Sequence, residues 1–186
     1  MKLIFKELQV ILSDQDIFQK IIKEDIKIEP FDKNNIHPAS YIFTLGNNLL
    51  KPLQTKVIDI KNNQIPEYKK ISLDEIGYGL EPGELVLGQT LEKLTLPRDV
   101  AMIIEGRSTL ARMGIEIIQE SSFIEPDHSN SIITLEIINN SQSPIILYPG
   151  MECAKGIFIK LTSEYSGDFS SSTYTTQTEV EGPKFE

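Results

Sequence analysis

From Pro30 to Leu161 the chain breaks into short apolar runs, many of them β-branched, each closed by a turn signal. The runs are Glu84–Leu87, Val100–Ile104, Ile115–Ile118, Ile132–Ile138, Ile145–Leu147 and Gly156–Leu161. Between and around them stand Asn47–Asn48, Asn62–Asn63, Pro82–Gly83, Pro97, Pro126–Asp127, Asn139–Asn140 and Pro149–Gly150. Runs this short leave no room for the crossover helices of a parallel sheet, so the pattern predicts an all-β sandwich, barrel or jelly roll. No internal repeat is present. The 186 residues fit one domain, large enough to bury its own core without disulfides or structural metal.

One helix is expected ahead of this β region. Ser13 is placed to cap it, and Asp14 and Asp16 favour its positive N-terminal end. Ile17, Phe18, Ile21 and Ile22 then recur at helical spacing. Residues Met1–Asp14 carry Lys6 and Glu7 inside their apolar stretch and lack a small-residue cleavage site, unlike a secretory signal. No run approaches the ~18 consecutive apolar residues of a membrane span. A single cysteine, Cys153, permits no internal disulfide, which suits a reducing cytoplasm; among Ala154 and Ile157 it reads as a small core residue.

The net charge of −9 lacks the basic surface that nucleic acid requires, so an anionic ligand must be held by local cations. Arginine is scarce: Arg98, Arg107 and Arg112 are all there are. A zinc deaminase needs His/Cys ligands with a Cys-x-x-Cys pair, which one cysteine and the distant His37 and His128 do not supply. No phosphate-binding glycine loop and no nucleophile elbow occurs.

Two clusters carry candidate chemistry. Gly106-Arg107-Ser108-Thr109-Leu110-Ala111-Arg112-Met113-Gly114 packs two guanidinium groups and two hydroxyls behind an apolar strand. It is either a solvated polar turn or a phosphate site, and a short helix starting after Gly106 would add N–H donors. In Ile132–Ile138, alternation puts Thr134, Glu136 and Ile138 on one face and Ile133, Leu135 and Ile137 on the other. Glu136 is either an outward strand glutamate or a general base whose pKa is raised by apolar neighbours. Beyond residue 161 the composition changes, with ten Ser or Thr among 25 residues. That sets a domain over 1–161 and a tail over 162–186. The tail is either disordered or a flap that orders on ligand through Tyr165, Tyr174 and Gln177.

At Gly106–Gly114 the chain resembles the dCTP deaminase branch of the trimeric dUTPase superfamily, whose signature is close to Gly-Arg-Ser-Ser-Leu-Ala-Arg-x-Gly. The resemblance continues in order through Leu12-Ser13-Asp14, Ile28-Glu29-Pro30-Phe31, Pro38-Ala39-Ser40-Tyr41, Pro82-Gly83-Glu84, Thr90-Leu91-Glu92, Ile133-Thr134-Leu135-Glu136 and Leu147-Tyr148-Pro149-Gly150-Met151. It implies a distorted jelly roll of dUTPase-like, β-clip type, assembled as a homotrimer with active sites shared between subunits. It further implies a hydrolase that deaminates dCTP to dUTP without zinc, with Mg2+ carried on the triphosphate. In those terms Ser108, Arg112 and Glu136 surround the water that attacks C4 of cytosine. Arg107 and Thr109 hold phosphates, and Gln119, Glu125, Tyr165, Tyr174 and Gln177 contact substrate.

Several positions depart from the family pattern. Ile118-Gln119-Glu120-Ser121 stands where His-x-Thr-Ala is usual, and the stretch up to Ile133 is one residue longer. Ile42 follows Ser40-Tyr41 where aspartate is usual, and Thr173 replaces a tail lysine. Glu125 takes the place of the aspartate that dUTPases use to activate water, so dUTP hydrolysis is expected to be weak or absent. Two further readings stay open: a dUTP diphosphatase, alone or joined to deamination, and a non-enzymatic nucleotide- or protein-binding trimer.

Overall fold

The computed structural model describes residues 10–54, 57–167, 174 and 176–184. Met1 to Gln9, most of the stretch read as lacking a signal peptide, and Thr173 lie outside the described residues. Helix α1 spans Asp14–Ile22, with Ser13 capping it as expected: the Ser13 hydroxyl accepts the Asp16 N–H and Asp16 reaches back to the cap. Ile17 is buried, whereas Ile22 is exposed.

The strands that follow are β1 (Lys27–Glu29), β2 (Ile36–His37), β3 (Ser40–Thr44), β4 (Asn48–Pro52), β5 (Tyr68–Ser72), β6 (Tyr78–Leu80), β7 (Leu85–Gln89), β8 (Lys93–Thr95) and β9 (Val100–Gly106). Helix α2 (Ser108–Arg112) precedes β10 (Ile115–Glu116), β11 (Phe123–Ile124), β12 (Thr134–Asn139), β13 (Ile145–Leu147) and β14 (Glu152–Lys160). Among the described residues they form two five-stranded sheets, in the orders β10-β12-β7-β4-β5 and β11-β9-β14-β3-β2. Two small ribbons, β1-β8 and β13-β6, complete the all-β architecture, with no closed barrel. Every pairing is antiparallel, as the short connections require.

Buried side chains from both large sheets merge into one core: Tyr41 and Phe43 on β3, Val86 on β7, Met102 and Ile104 on β9, Leu135 and Ile137 on β12, Phe158 on β14. Gly156 is required there, because a Cβ would fall 2.4 Å from Met102 Sδ and 2.7 Å from Phe43 Cε2. A buried carboxylate ties β3 to the turn before β8: Glu92 accepts the Thr44 N–H at 2.9 Å and the Thr44 hydroxyl at 2.8 Å. Cys153 sits fully buried in the same core. No helix among the described residues is long and apolar enough to cross a membrane.

Candidate active site

A cleft of about 530 Å3 opens where β12 of one sheet faces β11 of the other. Glu136 enters it from β12, whose burial alternates strictly: Leu135, Ile137 and Asn139 point into the core, and Thr134, Glu136 and Ile138 are half-buried. Glu136 pairs in register with Leu87 of β7, which also lines the cleft. One Glu136 carboxylate oxygen is buried with no hydrogen-bond partner among the described residues. Burial pushes the carboxyl pKa above its ordinary value, against the lowering pull of its own backbone N–H and that of Gln119. A carboxylate so placed holds a proton more readily than a solvated one, as an acid–base group near neutrality needs.

Glu125 reaches the cleft from the turn after β11, which is held against β9 through the pairs Phe123–Ile103 and Ile124–Met102. The tail supplies the remaining wall with Tyr174, Gln177, Glu181, Gly182 and Pro183. Gln177 is buried, its carbonyl accepting the Ile132 N–H at 3.0 Å. Val180 is buried too, its N–H donated to Gln89 Oε1 at 2.9 Å. Gly182 packs against the Tyr68 ring, so close that a Cβ would fall 3.0 Å from Cε2.

The remaining candidates lie elsewhere. Helix α2 forms after Gly106 and ends at Gly114, whose φ of +88° and crowding by Ser141 exclude other residues. Leu110 anchors the helix, while Ser108, Thr109 and Arg112 are exposed and do not line the cleft of their own chain. Arg107 caps the helix, gives its N–H to the Cys153 carbonyl at 3.2 Å, and pairs its guanidinium with Glu152. The Gln119 side chain is exposed beside the cleft. Tyr165 stands apart: its hydroxyl donates to Asp127 at 2.7 Å and its ring carries the Arg98 guanidinium at 4.4 Å, over a smaller pocket shared with Phe123 and Glu125.

Sequence reasoning missed Tyr68, His128 and Glu181 as cleft residues. Only His128 left a signal, a histidine two residues past Pro126 in a hairpin already under suspicion. Tyr68 and Glu181 come close through sheet pairing and tail docking, which no local pattern encodes.

A family model described as dCTP deaminase-like matches residues 11–161. The chain belongs to this family. It is accordingly an enzyme, a hydrolase, as the ordered motif matches implied. The chain is 35% identical over 185 residues to a "dCTP deaminase, dUMP-forming" of Halobacterium salinarum, covering 94% of this chain and 93% of that protein. It is 37% identical over 172 residues to a protein of the same name from Corynebacterium diphtheriae, covering 87% and 88%. In fold it matches the crystal structure of 2'-deoxycytidine 5'-triphosphate deaminase from Agrobacterium tumefaciens with a TM-score of 0.66 and 22% identity. That match spans 83% of this chain but about half, 49%, of the Agrobacterium chain. The sequence reading put the product at dUTP, whereas the relatives' shared name is dUMP-forming.

Proposed function

We propose that this protein hydrolytically deaminates dCTP and carries the product on to dUMP and pyrophosphate. The observation that carries the first step is Glu136, which lines a nucleotide-sized cleft and whose carboxyl has a raised pKa and one buried oxygen without a partner among the described residues. Glu136 takes a proton from water, and the resulting hydroxide adds to C4 of cytosine. The proton passes to the ring nitrogen and then to the amino group, which leaves as ammonia. Ser108 and Arg112 position the water and stabilise the charge developing at C4.

The second step is supported by the relatives' name and by Glu125, which lines the same cleft as Glu136. Glu125 activates a second water against the α-phosphate, releasing pyrophosphate. Glu125 and Glu136, which enter one cleft from different parts of the fold, suit two hydrolyses on one bound nucleotide.

The triphosphate gives the enzyme a reason to work as a homotrimer. The described residues lining the cleft include Glu125, Glu136 and Glu181 but neither lysine nor arginine. Among the described residues that line one chain's cleft, a triphosphate therefore finds no cationic side chain. Helix α2 presents Ser108, Thr109 and Arg112 to solvent, and a neighbouring copy that brings them with Arg107 to the cleft supplies the missing donors. Mg2+ would be carried by the triphosphate itself and would offset part of its negative charge. The enzyme acts in the cytoplasm, in keeping with the unpaired, buried Cys153.

Incubation with dCTP, following ammonia and pyrophosphate separately, tests the reading. Equal yields of both with dUMP as end product are expected. Ammonia alone, with dUTP accumulating, would leave a deaminase without the second step, and neither product would remove the assignment.

A further inference from the structure

The residues between β8 and β9 hold two segments that are far apart in sequence. Leu96 donates its N–H to the His128 carbonyl at 2.9 Å, and the Pro97 carbonyl accepts the Asp127 N–H at 3.3 Å. The Arg98 carbonyl accepts the Tyr165 N–H at 3.3 Å, and the Asp99 carbonyl accepts the Leu161 N–H at 2.8 Å. The first pair fastens the turn after β11, and the second fastens the start of the tail. One side-chain bond then joins the two segments directly: the Tyr165 hydroxyl donates to Asp127 Oδ2 at 2.7 Å. Arg98 fixes the donor, with its guanidinium 4.4 Å from the Tyr165 ring centre and its Nη2 donating to the Tyr165 carbonyl at 3.3 Å. Asp127 takes a φ of +64°, where an aspartate sits less easily than glycine, so the turn depends on the bonds that hold it.

Resting on the function proposed above, we infer that Tyr165 is a positioning residue for the second hydrolysis: by holding Asp127 it fixes the turn that carries Glu125 at the cleft. Glu125 is exposed, so the backbone beneath it sets where its carboxylate stands. Strand pairing ends with Ile124 on Met102, and the next fastening among the described residues is at Asp127, just past Pro126. Glu125 also borders a second, smaller pocket of about 200 Å3, with Phe123, Pro126, Leu161 and Tyr165. A loosened turn lets the carboxylate swing toward that space and away from the α-phosphate. Misplacement by about 1 Å can cost ~100-fold in rate, so one hydrogen bond close to Glu125 matters to its chemistry. Glu136 stands on β12, in the other large sheet, and does not depend on this latch.

The experiment breaks the latch from either side. Tyr165→Phe keeps the ring against Arg98 and removes the hydroxyl, while Asp127→Gly removes the acceptor and suits the positive φ. In steady-state assays with dCTP, each should lower kcat for pyrophosphate release about 10-fold and leave KM within a few-fold. Ammonia release should stay at the wild-type rate, so that dUTP accumulates. The double variant should lose no more than either single one, because both break the same bond. Asp127→Asn, which keeps an acceptor, should stay near wild type. Losses that multiply in the double variant, a rise in KM in place of the fall in kcat, or equal losses of both products would each overturn the proposal. So would a Tyr165→Phe protein that behaves as wild type. Should Asp127→Gly fail to fold, as its thermal melt would show, Tyr165→Phe and Asp127→Asn carry the comparison. If the wild type releases no ammonia or no pyrophosphate from dCTP, the proposed function fails instead. Amide hydrogen exchange at residues 123–128 then decides the latch alone: faster exchange in Tyr165→Phe supports it, and unchanged exchange overturns it.

Discussion

The Thr134 hydroxyl lies 3.2 Å from the side-chain oxygen of Gln177, joining the strand that bears Glu136 to a residue 43 positions further along the chain. The tail is thus not an appendage of the cleft but part of its wall. Val180 on Gln89, Gly182 on Tyr68 and Glu179 beside Lys70 extend the attachment from β12 across β7 to β5.

Removing the tail after Gly167 should therefore open the substrate side. We expect KM for dCTP to rise at least ~10-fold, with kcat less affected, because lost enclosure weakens binding before it removes the chemistry. Steady-state kinetics on the truncated chain checks this. An unchanged KM would show that the docked tail plays no part in binding.

Glu125→Gln separates the two hydrolyses. Pyrophosphate release should fall by ~100-fold, the usual scale of a positioned acid–base group, while ammonia release stays within a few-fold of wild type. Parallel loss of both would place Glu125 in binding rather than in the second step.

Glu92 makes a pH prediction internal to one chain. Burial raises its carboxyl pKa, outweighing the two hydrogen bonds from Thr44. The folded chain then binds the Glu92 proton more tightly than the unfolded chain does. Its stabilising contribution is complete below the ordinary carboxylate value of 4.5 and is lost as pH rises through the raised folded pKa. Melts of wild type and Glu92→Gln should show the wild type losing ground to the variant over that interval. A difference that is constant or grows with pH would contradict the shift.

Gly156→Ala should destabilise the fold by about 1–3 kcal/mol, the typical cost of overpacking. The added methyl meets Met102 and Phe43, both fully buried. Denaturant unfolding measures it, and a neutral result would mean that this part of the core yields.

The alternation around Glu136 was legible because one face of β12 is core and the other is cleft, so a two-residue period writes both roles into the sequence. Ser13 announced α1 through local capping chemistry, and Gly106 and Gly114 bracketed α2. Other elements were not legible for equally physical reasons. β5 reads Tyr-Lys-Lys-Ile-Ser, too polar to signal a strand, and exists through its pairing with β4. β14 begins at Glu152, ahead of the apolar run, where Glu152 pairs with Thr44 of β3 before a register shift at Ala154. Asp127 and Arg98 hold Tyr165 beside the cleft. Such partners lie far away in sequence, and only the assembled sheets bring them together.

Glu136→Gln tests most directly whether Glu136 is the base that deaminates dCTP. The substitution keeps the shape of the side chain and removes its proton acceptor. Ammonia release from dCTP should fall by at least ~100-fold, with dCTP binding by calorimetry largely retained. Ammonia release at the wild-type rate from the Glu136→Gln protein would contradict the account.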